Sequence, residues 1–284
     1  MTTRTIALIE TSTNENVGPF KIKNVLPTWN LKQIDPFLLI HHMPPFELRP
    51  GDETRIPPHP HAGFEVVTYL LDGEFFHRDS QGNDQVAKGG DINWMSSGSG
   101  ITHSEGPTAS FLKTEKPIAQ LLQIWINLPA DQKKIAPSFA HYPSAGFPVI
   151  ESKNAWIKVL LGSYAGKSST ISTHTPMFLY HLKIKVAELF TLSVDEKHSA
   201  ALYLLKGKIK VLNEEVKAGQ LVDFNIDGDQ LFFRAIEDAE LIVFGGLPIK
   251  EKVVSYGPFV MNSFEEIQHA IGDYETGKMG QLDY

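Results

Sequence analysis

Apolar positions along this chain fall in short runs. Glu65 to Leu71, Gln120 to Asn127, Trp156 to Leu161 and Leu241 to Phe244 are rich in Val, Ile, Leu, Phe, Tyr and Trp. Polar, glycine-bearing breaks such as Asp72-Gly73, Gln81-Gly82-Asn83, Gly89-Gly90-Asp91 and Asp227-Gly228-Asp229 punctuate the sequence. β-Branched and aromatic side chains suit a pleated surface, and Gly, Asp and Asn suit tight reversals. Many short strands at this spacing predict an all-β sandwich or barrel. Helical spacing occurs near the end. Phe264, Ile267, Ala270, Ile271 and Tyr274 share one face, Ser263 and Glu266 form a capping box, and Gly277 is a C-terminal stop.

An internal repeat splits the strand pattern in two. Tyr69-Leu70-Leu71-Asp72-Gly73 returns as Tyr203-Leu204-Leu205-Lys206-Gly207, and Lys88-Gly89-Gly90-Asp91 resembles Lys217-Ala218-Gly219-Gln220. The common order indicates duplication, with a first domain over 1–135 and a second, carrying the helix, over 136–284. Pro129, Pro137, Pro143 and Pro148 mark the connector, expected to hold one short helix, with Lys133-Lys134 as a solvated face.

The candidate chemistry lies between His59 and Glu105. His59-Pro60-His61 opens this stretch and His103-Ser104-Glu105 closes it. Residues i and i+2 of a strand point to one side, so His59 with His61, and His103 with Glu105, can each grip one ion. Pairing the two strands would gather both pairs around a single metal. Imidazole nitrogen with one carboxylate suits iron, nickel, copper, manganese or zinc, whereas calcium prefers oxygen throughout. At the repeat-related positions stand Ser193, Asp195, Phe232 and Arg234, so the second half keeps the scaffold and loses the ligands. Phe232 is expected to fill the space a metal would need, and His198 cannot hold a metal alone.

Composition narrows the context. The chain has 284 residues, no cysteine and a net charge of −7. Thiolate sites and disulfides are excluded, and nonspecific binding to nucleic acid or anionic membrane is disfavoured. Without a signal-peptide core or a long apolar stretch, a soluble cytoplasmic protein with no membrane span is expected.

The stretches HPHAGFEVVTYLLDGEFFHRDSQGN, GGDINWMSSGSGITHSE, LLQIWINLP and YGPFVMNSFEEIQHAIGDYETGKMG resemble the pirin family of the cupin superfamily. The resemblance implies a bicupin, two antiparallel β-barrels of the double-stranded β-helix type, with metal in the N-terminal barrel only. It implies one divalent metal, Fe(II) foremost with Ni, Cu, Mn or Zn as alternatives, held by His59, His61, His103 and Glu105. It also implies two activities: dioxygen-dependent cleavage of the flavonol quercetin, or an iron-dependent regulatory role through a protein partner. In the first, a small aromatic substrate would bind the metal and Glu105 would serve as catalytic base. Glu65, a ligand in many cupins, would then support an imidazole by its other nitrogen. Two departures from the family stand out. Ala62 replaces an arginine beside the site, and His41-His42 replace acidic residues, with a surface or loop role expected for both histidines.

Overall fold

The computed structural model describes residues 1–48 and 54–282. Strands dominate, and the α-helix Phe264–Glu275 lies near the C-terminus. Among the described residues no helix is long and apolar enough to cross a membrane.

Among the described residues two compact units form, each with a seven-stranded sheet, a four-stranded sheet and a two-stranded ribbon. One unit gathers residues 14–24, 37–144 and 250–284. Its larger sheet runs in the order Ser138–Tyr142, Ile92–Ser96, Phe64–Asp72, Ile118–Asn127, Phe37–Glu47, Phe20–Leu26, Thr13–Val17. Its smaller sheet runs Ile56–His61, Ile101–Pro107, Glu74–Asp79, Asp84–Lys88, all antiparallel. The other unit gathers 1–13, 25–36 and 145–249. Its larger sheet is Ile6–Thr11, Gln220–Phe224, Ala201–Lys206, Ala239–Gly246, Met177–Ile184, Ala155–Leu161, Val149–Glu151. Its smaller sheet is Leu189–Ser193, Gln230–Ala235, Lys208–Val211, Glu214–Lys217. The sheets stay open at their edges rather than closing into full barrels, in a cupin-like all-β arrangement.

The repeat is visible in hydrogen bonds. Gly73 and Gly207, at φ +99° and +83°, each turn the chain into the next strand. The Gly90 N–H donates to the Leu70 carbonyl at 2.6 Å, and the Gly219 N–H donates to the Leu204 carbonyl at 2.7 Å. A left-handed backbone is open to glycine at little steric cost, which explains why these positions match while their neighbours differ.

Three sequence expectations change. The helix, grouped by sequence with the C-terminal half, belongs to the unit built around residues 37–144. The 129–148 connector contains a strand, Ser138–Tyr142, paired with Ile92–Ser96, and its helical pieces are the 3-10 turns Ala130–Gln132 and Ser144–Gly146. On Gln230–Ala235, Leu231, Phe233 and Ala235 enter the core beside Phe190 and Leu192, while Phe232 is half-buried and Arg234 exposed. The interior of this unit is filled by side chains as expected, but Phe233 fills it. The sequence offset was one residue out, and in a strand one residue reverses the face.

The N-terminus is anchored in the same unit by a charge that the sequence did not flag. Arg4 is fully buried, and its guanidinium donates to the carbonyls of Gly228, His198 and Asp195 at 2.7–2.8 Å. A buried guanidinium is tolerable when its donors are satisfied in this way.

Candidate metal centre

The site begins with strand pairing. Ile56–His61 runs antiparallel to Ile101–Pro107 with His59 opposite His103. His61 shares the face of His59, two residues away. The three rings close on one another, with centroids 4.3 Å (His59–His103), 4.8 Å (His59–His61) and 5.0 Å (His61–His103) apart. One nitrogen from each falls within 4.8 Å of the others, and no other trio of this kind converges among the described residues.

The ring nitrogens are divided in a way that suits a metal. His59 Nδ1 lies 2.9 Å from the Pro57 carbonyl and His61 Nδ1 lies 3.4 Å from the Pro258 carbonyl. Carbonyls only accept, so each Nδ1 carries a proton, and in the neutral ring that tautomer leaves the lone pair on Nε2. His103 Nδ1 lies 3.5 Å from His77 Nδ1, and its Nε2 is buried with no hydrogen-bond partner. An orphaned buried nitrogen is costly unless something completes it, and three converging imidazole nitrogens are a transition-metal donor set. Burial, reinforced by the neighbouring His59, holds the His61 and His103 imidazoles well below the usual histidine range. They are therefore neutral near pH 7, as ligation requires.

Glu105 lies two residues beyond His103 on the same strand, opposite His77. Its register with Ile56–His61 slips at this point. The carboxylate accepts hydrogen bonds from the Gln123 amide and, at 3.3 Å, from the Thr68 hydroxyl. It borders a small cavity of about 40 Å³ with apolar walls including Phe20, Ile56, Phe75 and Leu121. Gln123, Trp125 and Asn127 alternate on Ile118–Asn127. Gln123 reaches Glu105, and Trp125 packs against His61 and Phe64 at ring distances of 5.2 and 4.3 Å. The face left open by sequence is thus the one that meets the histidines.

Other expectations are redrawn. Glu65 accepts from the Trp94 indole at 2.9 Å, and burial pushes its carboxyl up to about 7 despite that bond. The Nδ1 partners of the three histidines are instead two carbonyls and His77. His41 and His42 are not loop residues. Both lie within Phe37–Glu47, His41 lining the Glu105 cavity and His42 buried 3.0 Å from the Gln120 amide. Ala62 is fully buried among Phe259, Met261, Ile267 and Ala270, so its side chain serves tail packing rather than the site's charge. Next to it, Gly63 has φ +86°, and a Cβ there would meet the Val260 carbonyl at 2.0 Å.

Sequence reasoning missed two residues. His77 stacks on Phe139 at 4.1 Å and bonds Asp79 at 3.0 Å. The signal was the spacing His77-Arg78-Asp79, which places both on one face of a strand. Lys133, expected in solvent, is 1% exposed. Its ammonium donates to the Gly63 carbonyl, the Asn127 amide oxygen and the Val260 carbonyl at 2.8, 2.7 and 3.2 Å. Lys134 behaves as expected, exposed beside Glu266.

Comparison with known proteins places this geometry. Residues 19–126 match the Pirin family model and residues 179–280 the Pirin C-terminal cupin domain. A Pseudomonas aeruginosa protein provisionally named a quercetin 2,3-dioxygenase is 33% identical, with 87% of each chain covered. A pirin-like protein of Caulobacter vibrioides is 31% identical over 96% of this chain and 94% of its own. The crystal structure of a quercetin 2,3-dioxygenase from Acinetobacter baumannii superposes with a TM-score of 0.94 at 28% identity, covering 99% of this chain and 100% of that one.

Proposed function

The chain belongs to the pirin family, and from that premise we propose that it is a metal-dependent dioxygenase of the quercetinase type, oxidising a flavonol or related small aromatic with dioxygen. The observation that carries this reading is the convergence of three histidines with a partnerless Nε2 on His103. The relatives and the structural neighbour named as quercetin 2,3-dioxygenases supply the reaction class.

We assign His59, His61 and His103 as metal ligands through Nε2, with Glu105 as the fourth, in the N-terminal half. Three imidazoles and a carboxylate leave open positions on a five- or six-coordinate ion, and Fe(II) is the ion we assign. That ion, when bound, would offer the site for the substrate oxygen and mediate electron flow from the flavonol, which is oxidised, to dioxygen, which is reduced. The protein's own work is positioning and proton transfer. Glu105 would take the flavonol hydroxyl proton on a carboxylate oxygen, while Gln123 and Thr68 fix its plane by hydrogen bonds. Phe20, Phe75 and Leu121 exclude water beside it. With no cysteine, the fold does not depend on an oxidising compartment, and we place it in the cytoplasm.

One observation favours a second reading. The cavity beside Glu105 holds about 40 Å³, while ligand pockets span roughly 300–1,000 Å³. A flavonol enters only if wall side chains move. If they do not, the metal would act in a regulatory protein that works through protein contacts. Oxygen uptake with quercetin, on protein of measured iron content, separates the two. Uptake proportional to bound iron supports the dioxygenase. Fully loaded protein that consumes no oxygen leaves the regulatory role.

A further inference from the structure

We propose that His77 and Asp79 form a positioning relay that fixes the tautomer of His103, so that His103 presents Nε2 to the metal. The inference rests on the assignment of His103 as a ligand and deepens it. Both lie outside the trio in which one nitrogen each from His59, His61 and His103 converges. Both sit on Glu74–Asp79, the strand next to Ile101–Pro107, with Asp79 opposite His103.

The chain of bonds has one consistent direction. Asp79 is 2% exposed and its carboxylate is an acceptor. Asp79 Oδ2 accepts a hydrogen bond from His77 Nε2–H at 3.0 Å. Asp79 is itself held, since its Oδ1 accepts from the Gln81 and Asn83 backbone N–H groups and from the Asn83 amide. With the His77 proton on Nε2, His77 Nδ1 is an acceptor facing His103 Nδ1 at 3.5 Å. His103 must then carry its proton on Nδ1, which leaves the lone pair on the buried, partnerless Nε2. Stacking of His77 on Phe139, 4.1 Å apart and 7° from parallel, keeps the ring plane in place. His59 and His61 obtain the same tautomer from backbone carbonyls. His103 obtains it from side chains, so it is the ligand that mutation can misdirect.

Two substitutions separate positioning from packing. His77→Phe keeps the stack on Phe139 and removes the acceptor. His77→Asn loses ring area but can place Oδ1 where Nδ1 stood. The measurement is Co(II) affinity of the full-length protein, by competition with a chromophoric chelator, beside thermal unfolding of the metal-free forms. A relay predicts about 10- to 100-fold weaker Co(II) binding for His77→Phe, in the range for loss of a supporting partner, and binding by His77→Asn within about 3-fold of the parent. A packing role predicts the reverse order. His77→Phe binding like the parent, or His77→Asn as weak as His77→Phe, overturns the relay alone. A parent protein that binds no Co(II) overturns the ligand assignment and the relay with it.

Discussion

At the scale of single residues, the site depends on which nitrogen or oxygen holds a proton. Removing two of the converging imbidazole side chains by His59→Ala with His103→Ala should take metal content from one ion per chain to none, read by elemental analysis. Retention of metal would refute the ligand set. Glu105→Gln should lower quercetin turnover more than metal content, because the amide oxygen still ligates weakly but accepts no proton. Unchanged turnover in that variant would remove Glu105 as base. Glu65 gives a pH signature. Its folded pKa of about 7 exceeds the ordinary carboxyl value of 4.5, so the folded chain binds more protons between those values. Stability of the metal-free protein therefore falls as pH rises through that window, by roughly 3 kcal/mol in all. Glu65→Gln should match the parent near pH 4.5 and unfold at higher urea near pH 8. Equal midpoints at pH 8 would refute the burial argument. The trio itself was legible in sequence, because i, i+2 spacing is local. The atoms that set its tautomers were not: the Pro258 carbonyl meets His61 from 197 positions away, and His77 meets His103 from 26.

At the scale of elements, local signals held and distant ones were silent. The apolar runs became Phe64–Asp72, Ile118–Asn127, Ala155–Leu161 and Ala239–Gly246, since pattern and turn glycines act between near neighbours. The capping box also formed. The Ser263 hydroxyl oxygen accepts from the Glu266 N–H, and Gly277 reverses the chain at φ +78°. The helix buries Ile267 and Ala270, whereas Phe264 is 69% exposed, so the apolar face is narrower than its spacing implies. Ser263→Ala should cost about 1 kcal/mol, read as a lowered urea midpoint. Lys133 was illegible because its three acceptors lie 6, 70 and 127 residues away. It ties the turn after His61 to the Phe259–Met261 strand. Lys133→Met leaves those acceptors buried and unpaired, which should cost roughly 2–4 kcal/mol and lower the Tm of the metal-free protein. A Tm within a degree of the parent would show that the clamp is dispensable.

At the scale of the whole molecule, the two units are not two halves of the sequence. The unit that carries the histidines also takes its last segment from 250–284. That segment supplies Pro258, which accepts from His61, and Phe259, Met261, Ile267 and Ala270, which bury Ala62. The other unit takes its edge strand Ile6–Thr11 from the N-terminus, paired with Gln220–Phe224. A chain ending at Pro148 therefore fails for a reason that the duplication alone does not suggest. It keeps all three histidines and Glu105 but removes the covering of Ala62, the acceptor for His61 and one partner of Lys133. It also leaves Ile6–Thr11 without its neighbour, and an unpaired strand edge invites association. Exposed apolar surface of this kind drives aggregation. Such a chain should be recovered as insoluble or aggregated protein with substoichiometric metal, measured by size-exclusion chromatography and elemental analysis. In the full-length protein, by contrast, exposed substitutions in 145–249, such as Lys210→Ser on Lys208–Val211, should leave metal content at one per chain, because that unit's interior is closed by Phe233 and its neighbours rather than by ligands. A soluble, folded and fully metallated 1–148 chain would show that the 250–284 segment does not hold the site, and His61 would then need another acceptor to fix its tautomer.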